Sequence, residues 1–268
     1  MTSAPDLPLT HLVLAAGLLA LPLGASAWLR LGLARPLLVA AVRMAAQLFA
    51  IGLVLDALLR VQVPLWIAAL LAVMLAFAGR EVRARQERPL AGAWGYGVAT
   101  LSMAAGLTVA LGVALATAVR PDPWFDAGVL IPLGGMILGN AMTGVALAVS
   151  ALVRGVESEG RAVEAQLALG EPIDVALRPL VRRALAQGLM PTINAMAATG
   201  LVFLPGMMTG QILAGVAPLV AVKMQLLVML LISGGTGLGA LLAVRLTAHR
   251  LSDERHRLRI DRLVPRRR

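Results

Sequence analysis

Seven apolar runs, each about as long as a bilayer is thick, divide the chain from end to end. They are Leu9–Leu29, Pro36–Leu59, Val63–Gly79, Gly92–Val119, Ala127–Val153, Ala184–Ala214 and Ala217–Arg245. A helix needs about 20 mostly apolar residues to cross the hydrocarbon. Such runs exclude an ordinary water-soluble core. With 59% hydrophobic and only 14% charged residues, the chain has too few charges to clothe a water-facing surface. The fold expected is all-α, a polytopic membrane bundle of about seven spans, with six as the main competing count. Several runs exceed the minimum length, which implies tilt, kinks or ends outside the hydrocarbon.

The basic residues give an orientation. Arg30 and Arg35 lie in the first loop, Arg80, Arg83, Arg85 and Arg88 in the third, and Arg154, Arg161, Arg178, Arg182 and Arg183 in the fifth. Nine of the 24 lie in Arg245–Arg268, whereas the second and fourth loops hold only Arg60 and Arg120. Lys and Arg are retained on the cytoplasmic side. The odd loops and the C-terminus are therefore expected inside and the N-terminus outside. The expected organisation is a transmembrane domain at 1–245, with a long cytoplasmic loop at 154–183, and a basic tail at 246–268. That tail reads as a short helical extension with a disordered end, held to anionic lipid. No cleavable signal peptide is expected, because Met1–Leu9 lacks a basic segment.

Several function classes drop out. The net charge of +10 is carried mostly by loops and tail, without the basic aromatic surface that nucleic-acid binding needs. No cysteine is present, so disulfides, thiolate metal sites and cysteine nucleophiles are excluded. The three histidines, His11, His249 and His256, sit near the ends, away from any cluster inside the bundle. There is no Walker-type phosphate loop, HExxH or GxSxG pattern. No enzymatic activity and no cofactor are expected in this chain.

Chemistry inside the spans rests on a few polar side chains: Arg43, Gln47, Asn140, Asn194 and Gln211. Such groups are costly in hydrocarbon and face a bundle interior or a cavity. Arg43 and Gln47 share one helix face. Arg43 lies about 10 Å from its span's cytoplasmic end, so snorkelling to the interface competes with a cavity role. For Asn140 and Asn194 a helix–helix hydrogen bond is the competing reading. Pro205-Gly206 is expected to break the sixth span, as broken helices do where they line a cavity. Met207 and Met208 stand beside the break. Thioethers suit copper(I) better than iron, and methionine is also an ordinary core filler. Gly135 and Gly139 form a GxxxG pair that suits close packing or dimerisation.

In the long loop, Arg161–Leu169 is expected to form an amphipathic helix, after a poor helix position at Gly160. Gly170 stands at its C-cap, Pro172 prevents continuation, and Asp174 is placed to cap a second helix. Glu164-Ala165-Gln166 followed by Gly170 fits the start of the EAA-type loop of ABC-transporter permeases, which docks into a cleft on an ATPase. An ordinary amphipathic surface helix is the competing reading. The usual closing Ile-x-Leu-Pro is replaced by Leu180, Val181, Arg182 and Arg183.

Met190-Pro-Thr-Ile-Asn194, Gly200-Leu-Val-Phe-Leu-Pro-Gly-Met-Met-Thr-Gly-Gln-Ile-Leu-Ala-Gly215 and Ile131-Pro-Leu-Gly-Gly-Met-Ile-Leu-Gly-Asn140 extend the likeness, together with Arg43 and Gln47. On these segments the chain resembles the FetB-type family of ABC permeases, implicated in iron export and related to plant aluminium-tolerance permeases. The resemblance implies a permease, dimeric, in a bacterial inner membrane, working with a separate ATP-binding cassette subunit that holds the ATP. It implies export of iron or another metal-related solute. The contact with that subunit falls to Glu164, Ala165, Gln166 and Gly170. Translocation-path candidates are Arg43, Gln47, Asn140, Asn194, Met207, Met208 and Gln211, and the residues leave any metal site unknown. The alternatives from other classes are an ATP-independent channel or secondary carrier, and a membrane-embedded lipid-processing enzyme. The last would want paired acidic, His or Ser groups at one interface.

Overall fold

The computed structural model describes residues 8–61, 63–117, 123–253, 255 and 257–264. The described elements are helical: α1 Leu9–Gly17, α2 Ala20–Trp28, α3 Ala34–Val61, α4 Pro64–Ala84, α5 Trp94–Thr117, α6 Ala127–Ala168, α7 Ile173–Ala198, α8 Gly206–Leu213 and α9 Pro218–Arg250, with a final 3-10 turn at Ile260–Arg262. The chain divides into one unit ending at Val61 and a second beginning at Gln62. Among the described residues, six helical segments are long and apolar enough to cross a membrane.

In the first unit, the first span is bent. Pro22 has no N–H for the Leu18 carbonyl, so α1 ends at Gly17, two residues pass in a turn, and α2 restarts at Ala20. The α2–α3 turn is closed by Ser26, whose Oγ accepts from the Leu33 N–H at 3.0 Å.

The second unit is built around α5, α6, α7 and α9. Met103, Ile137, Leu152, Val145 and Val244 are fully buried in its core. Glycines let these helices approach closely. A Cβ added at Gly106 on α5 would collide with the Gly235 carbonyl on α9, and one at Gly188 on α7 would lie 2.6 Å from Ala148 Cβ on α6. Gly135 approaches only the tip of Met74, and nothing stands within 4 Å of Gly139. The close contacts within this chain therefore fall at other glycines than that GxxxG pair.

Three expectations are corrected here. The run Ala184–Ala214 is broken, as expected, but the break does not begin at Pro205-Gly206. α7 stops at Ala198, the chain turns through 199–205 with Gly200 at φ +92, and α8 restarts after Pro205. The break thus begins at Thr199, six residues before Pro205, where Gly200 takes a left-handed conformation just past the helix end. Next, Arg161–Leu169 is not a separate helix. α6 runs unbroken for 42 residues, about 63 Å, twice the hydrocarbon thickness of ~30 Å. Gly160 lies buried inside it under Leu258 and Ile260, so its poor propensity is offset by packing. Asp174 does not cap α7 either: Pro172 holds that position, and Asp174 sits in the first turn.

The tail is also more ordered than the sequence suggested. Leu251 and Leu263 are buried, and Leu258 and Ile260 pack against the core. The Ala91 N–H donates to the Arg262 carbonyl at 2.8 Å and the Val264 N–H to the Pro89 carbonyl at 2.9 Å. Residues 257–264 thereby tie the α4–α5 connection to α6 and α9. The charged Pro265–Arg268 end lies outside the described residues.

Candidate functional site

The end of the second unit where α4, α6 and α9 finish and α7 begins carries most of its charge, and is the basic end below. α6 and α7 form an antiparallel hairpin there, since Gly144 approaches Gly188 while Gly155 approaches Leu180. Its tip is a Schellman turn. The Glu171 N–H bonds to the Gln166 carbonyl at 3.1 Å and the Gly170 N–H to the Leu167 carbonyl at 3.0 Å, with Gly170 at φ +91. This is the pattern that ends a helix when glycine takes the left-handed position. Glu164, Ala165, Gln166 and Gly170 are all exposed. Glu164 lies in the last turns of α6 rather than opening a helix, and nothing stands within 4 Å of a Cβ placed on Gly170. The tip is charged and uncovered.

Along the hairpin stem lies a cleft of about 820 Å³ bordered by Arg88, Arg154, Glu157, Glu159, Arg183 and Ile260. Two ion pairs cross it. Arg183 holds Glu159 through both carboxylate oxygens, at 2.7 and 2.6 Å, which raises the Arg183 pKa above its ordinary value. Arg88 joins Glu157, with both side chains largely shielded, and its Nε donates to the Val264 carbonyl at 3.0 Å. Beside them Gln86 donates to the Ala146 carbonyl at 3.1 Å and accepts from Ser150 at 2.8 Å. These pairs escaped the sequence reading because 69 residues separate Arg88 from Glu157. The one available signal was the spacing of Leu251, Leu258, Ile260 and Leu263 among the tail's charges.

Within the spans, the candidate polar residues fall into three places. Arg43 and Gln47 are exposed, one turn apart on α3 of the first unit. Asn140 on α6 and Asn194 on α7 are both exposed, and lie on the same side of the Gly144–Gly188 contact at similar depth. Asn140 Nδ2 donates to its own helix, to the Met136 carbonyl at 2.9 Å, so no hydrogen bond joins the two asparagines. Met207, Met208 and Gln211 share the half-buried side of α8. Met207 packs on the core, and Gln211 Oε1 is buried with no hydrogen-bond partner among the described residues. A buried amide oxygen without a donor carries a desolvation cost, which suits a surface that meets water, solute or another protein. Among the described residues no group of three or more His, Asp or Glu side chains is placed to hold a metal ion.

Residues 9–252 match the Uncharacterised protein family (UPF0014). The chain belongs to this family. Relatives include the UPF0014 membrane protein slr1647 of Synechocystis, 37% identical over 216 residues, covering 81% of this chain and 83% of that protein. The UPF0014 membrane protein STAR2 of rice is 33% identical over 234 residues, covering 87% of this chain and 80% of that protein. The Probable iron export permease protein FetB of Escherichia coli is 34% identical over 166 residues, 62% of this chain and 64% of FetB. Protein ALUMINUM SENSITIVE 3 of Arabidopsis is a further relative, so the resemblance read from the Leu204–Gln211 run and its companions is met by the comparison. No solved structure matches. The UPF0014 chain is a multi-pass helical membrane protein.

Proposed function

We propose that this UPF0014 protein is the membrane subunit of an ABC exporter for iron or another metal-related solute, driven by a separate ATP-binding subunit. The observation that carries the reading is the α6–α7 hairpin. A machine that hydrolyses ATP in water moves a membrane bundle only through something rigid that leaves the membrane. α6 supplies this as one unbroken helix, from a span to the exposed tip at Glu164–Gly170. FetB, named a probable iron export permease, supports both the transport class and the solute. In this reading the basic end is cytoplasmic, following the Lys/Arg bias, and the protein works as a homodimer in a bacterial inner membrane. Asn140, Asn194, Gln211, Met207 and Met208 contribute polar or polarisable groups to the path within the second unit, and Arg43 and Gln47 are separate candidates on α3.

The test uses Gly170→Leu and Glu164→Lys in the full chain, co-expressed with the ATPase subunit. In the isolated chain Gly170→Leu meets no neighbour and costs about 1 kcal/mol for its left-handed backbone. Insertion and thermal stability therefore stay near wild type. Both variants are expected to lose co-purification with the ATPase and to uncouple its hydrolysis from export. Wild-type assembly and coupled export in both would remove the hairpin tip from the mechanism and favour an ATP-independent channel or carrier. Separately, Arg43→Ala is expected to abolish export at unchanged protein level. Unchanged export there would mean that Arg43 only anchors α3 at the interface.

A further inference from the structure

A second groove at the basic end lies between α7 and α9, on residues that the hairpin tip does not use. It measures about 610 Å³ and is bordered by Asp174, Arg178, Arg245 and His249, over Leu177, Val181, Leu246 and Ala248. Arg178 stands five residues inside the start of α7 and Arg245 five residues before the end of α9. Because one helix enters and the other leaves at this end, both arginines lie at one level. Neither has a hydrogen bond or ion pair among the described residues, in contrast to Arg88, Arg183, Arg257 and Arg259 nearby, which all hold carboxylates. Two uncompensated guanidinium groups thus border one groove, with a single carboxylate, Asp174, at its rim.

The depth of the groove identifies its ligand. On α9 the uncharged run Met224–Val244 separates Lys223 from Arg245. That run is about 31 Å long, matching the ~30 Å hydrocarbon core, so Arg245 emerges at headgroup level. On α7 the apolar stretch begins just past Arg183, which puts Arg178, five residues or about 8 Å further out, in the headgroup layer. The groove floor is apolar: Leu177 is buried, and Val181, Leu246 and Ala248 are half-buried. A ligand here carries an anionic oxygen group at the water boundary and a hydrocarbon part below it. Guanidinium is the side chain that matches phosphate oxygens in fork geometry, and basic pockets between transmembrane helices take lipid headgroups in this way. A soluble acidic partner would meet the exposed tail first and gain nothing from the apolar floor.

We propose that the α7–α9 groove is a binding site for an anionic phospholipid, its phosphate held between Arg178 and Arg245. The site is independent of any ATPase and of the transported solute. The experiment is native mass spectrometry of the full-length protein, purified with a mixture of phosphatidylglycerol and phosphatidylcholine. Wild type is expected to retain phosphatidylglycerol in preference. Arg178→Gln and Arg245→Gln should each lower that retention roughly five-fold, as expected for one basic side chain at a headgroup. Arg85→Gln, which removes the same charge from the exposed end of α4, should leave retention unchanged. Equal retention of the two lipids, an equal loss in Arg85→Gln, or displacement by millimolar inorganic phosphate would each overturn the proposal. The last result would make the groove a soluble-anion site. Both arginines are exposed and unpaired, so the single variants are expected to fold. A variant that loses monodispersity in detergent would count against that assignment, and the other single variant still decides the lipid question.

Discussion

Between α5 and α9, Gly106 and Gly235 meet almost backbone to backbone, and no ion pair is involved. At the basic end, within the same unit, Arg88 clasps Glu157 and the Val264 carbonyl while Leu251 and Leu263 bury themselves beneath. The difference follows from the two solvents. Lipid tails are as apolar as leucine, so helices in the membrane gain little by burying apolar side chains and associate through close fit. Outside the hydrocarbon, water restores the hydrophobic gain, and shielded ion pairs then fix register. The spans are held by shape, and their basic end by burial and charge.

That contrast is open to attack at its strongest point first. Gly106→Val places a branched side chain against the Gly235 carbonyl, where neither backbone has room to yield. A loss of roughly 3 kcal/mol is expected, at the upper end for overpacking, read as a lower melting temperature in detergent. Gly112→Ala on the same helix meets nothing within 4 Å, and should be neutral or stabilising by up to about 1 kcal/mol. Equal damage from the two would mean that glycine acts through helix propensity, not fit.

Next in size is the tail. Leu263→Asp removes a buried leucine, worth roughly 2–3 kcal/mol, and should release 257–264 from the α4–α5 connection. Trypsin then has access to Arg257, Arg259 and Arg262. Cleavage is expected to accelerate roughly 30- to 150-fold, because local opening governs proteolysis. A wild-type tail cut as fast as the variant would mean that the packing does not hold the segment.

Arg88→Met should cost less, about 1–2 kcal/mol, as a lost charge-assisted bond and an unpaired, largely shielded Glu157. The double variant Arg88→Met/Glu157→Gln should recover part of that loss. Full additivity in that cycle would deny the coupling.

The smallest effect is acid loosening of the tail. Arg259 holds the Asp261 carboxyl down to about 2 from its ordinary 3.8, and the Arg257 backbone N–H is the main cause of a lowered Asp253 pKa. A lowered carboxylate stabilises the folded form above its unfolded pKa, and the contribution fades as pH falls through the folded value. Tail protection from an acid-active protease should therefore be constant above pH about 4 and decline toward pH 2. A decline that begins near neutrality would point to a different group.

How much of this was legible in advance differs from place to place. The spans could be read because hydrocarbon admits few charges, and the hairpin tip because Gly170 and Pro172 stop α6 by local chemistry. The break at Gly200 was displaced in the reading, since 201–204 is as apolar as any span and only the backbone turn betrays it. Gly160 read as a poor helix position until Leu258 and Ile260 covered it. The tail read as disorder because Leu251, Leu258, Ile260 and Leu263 are scattered among eight arginines with no sustained helical or strand period.

By itself the sequence determined which segments are apolar enough to enter a membrane, which end gathers the positive charge, and where local glycine and proline chemistry ends a helix. Each is a property of one residue or one short window in a given solvent. The tertiary structure decided which glycines touch, that α6 continues unbroken through Gly160, that the tail folds back, and that Arg178 and Arg245 border one groove without carboxylate partners. Those outcomes depend on pairs of residues far apart in the chain, brought together only when the helices pack.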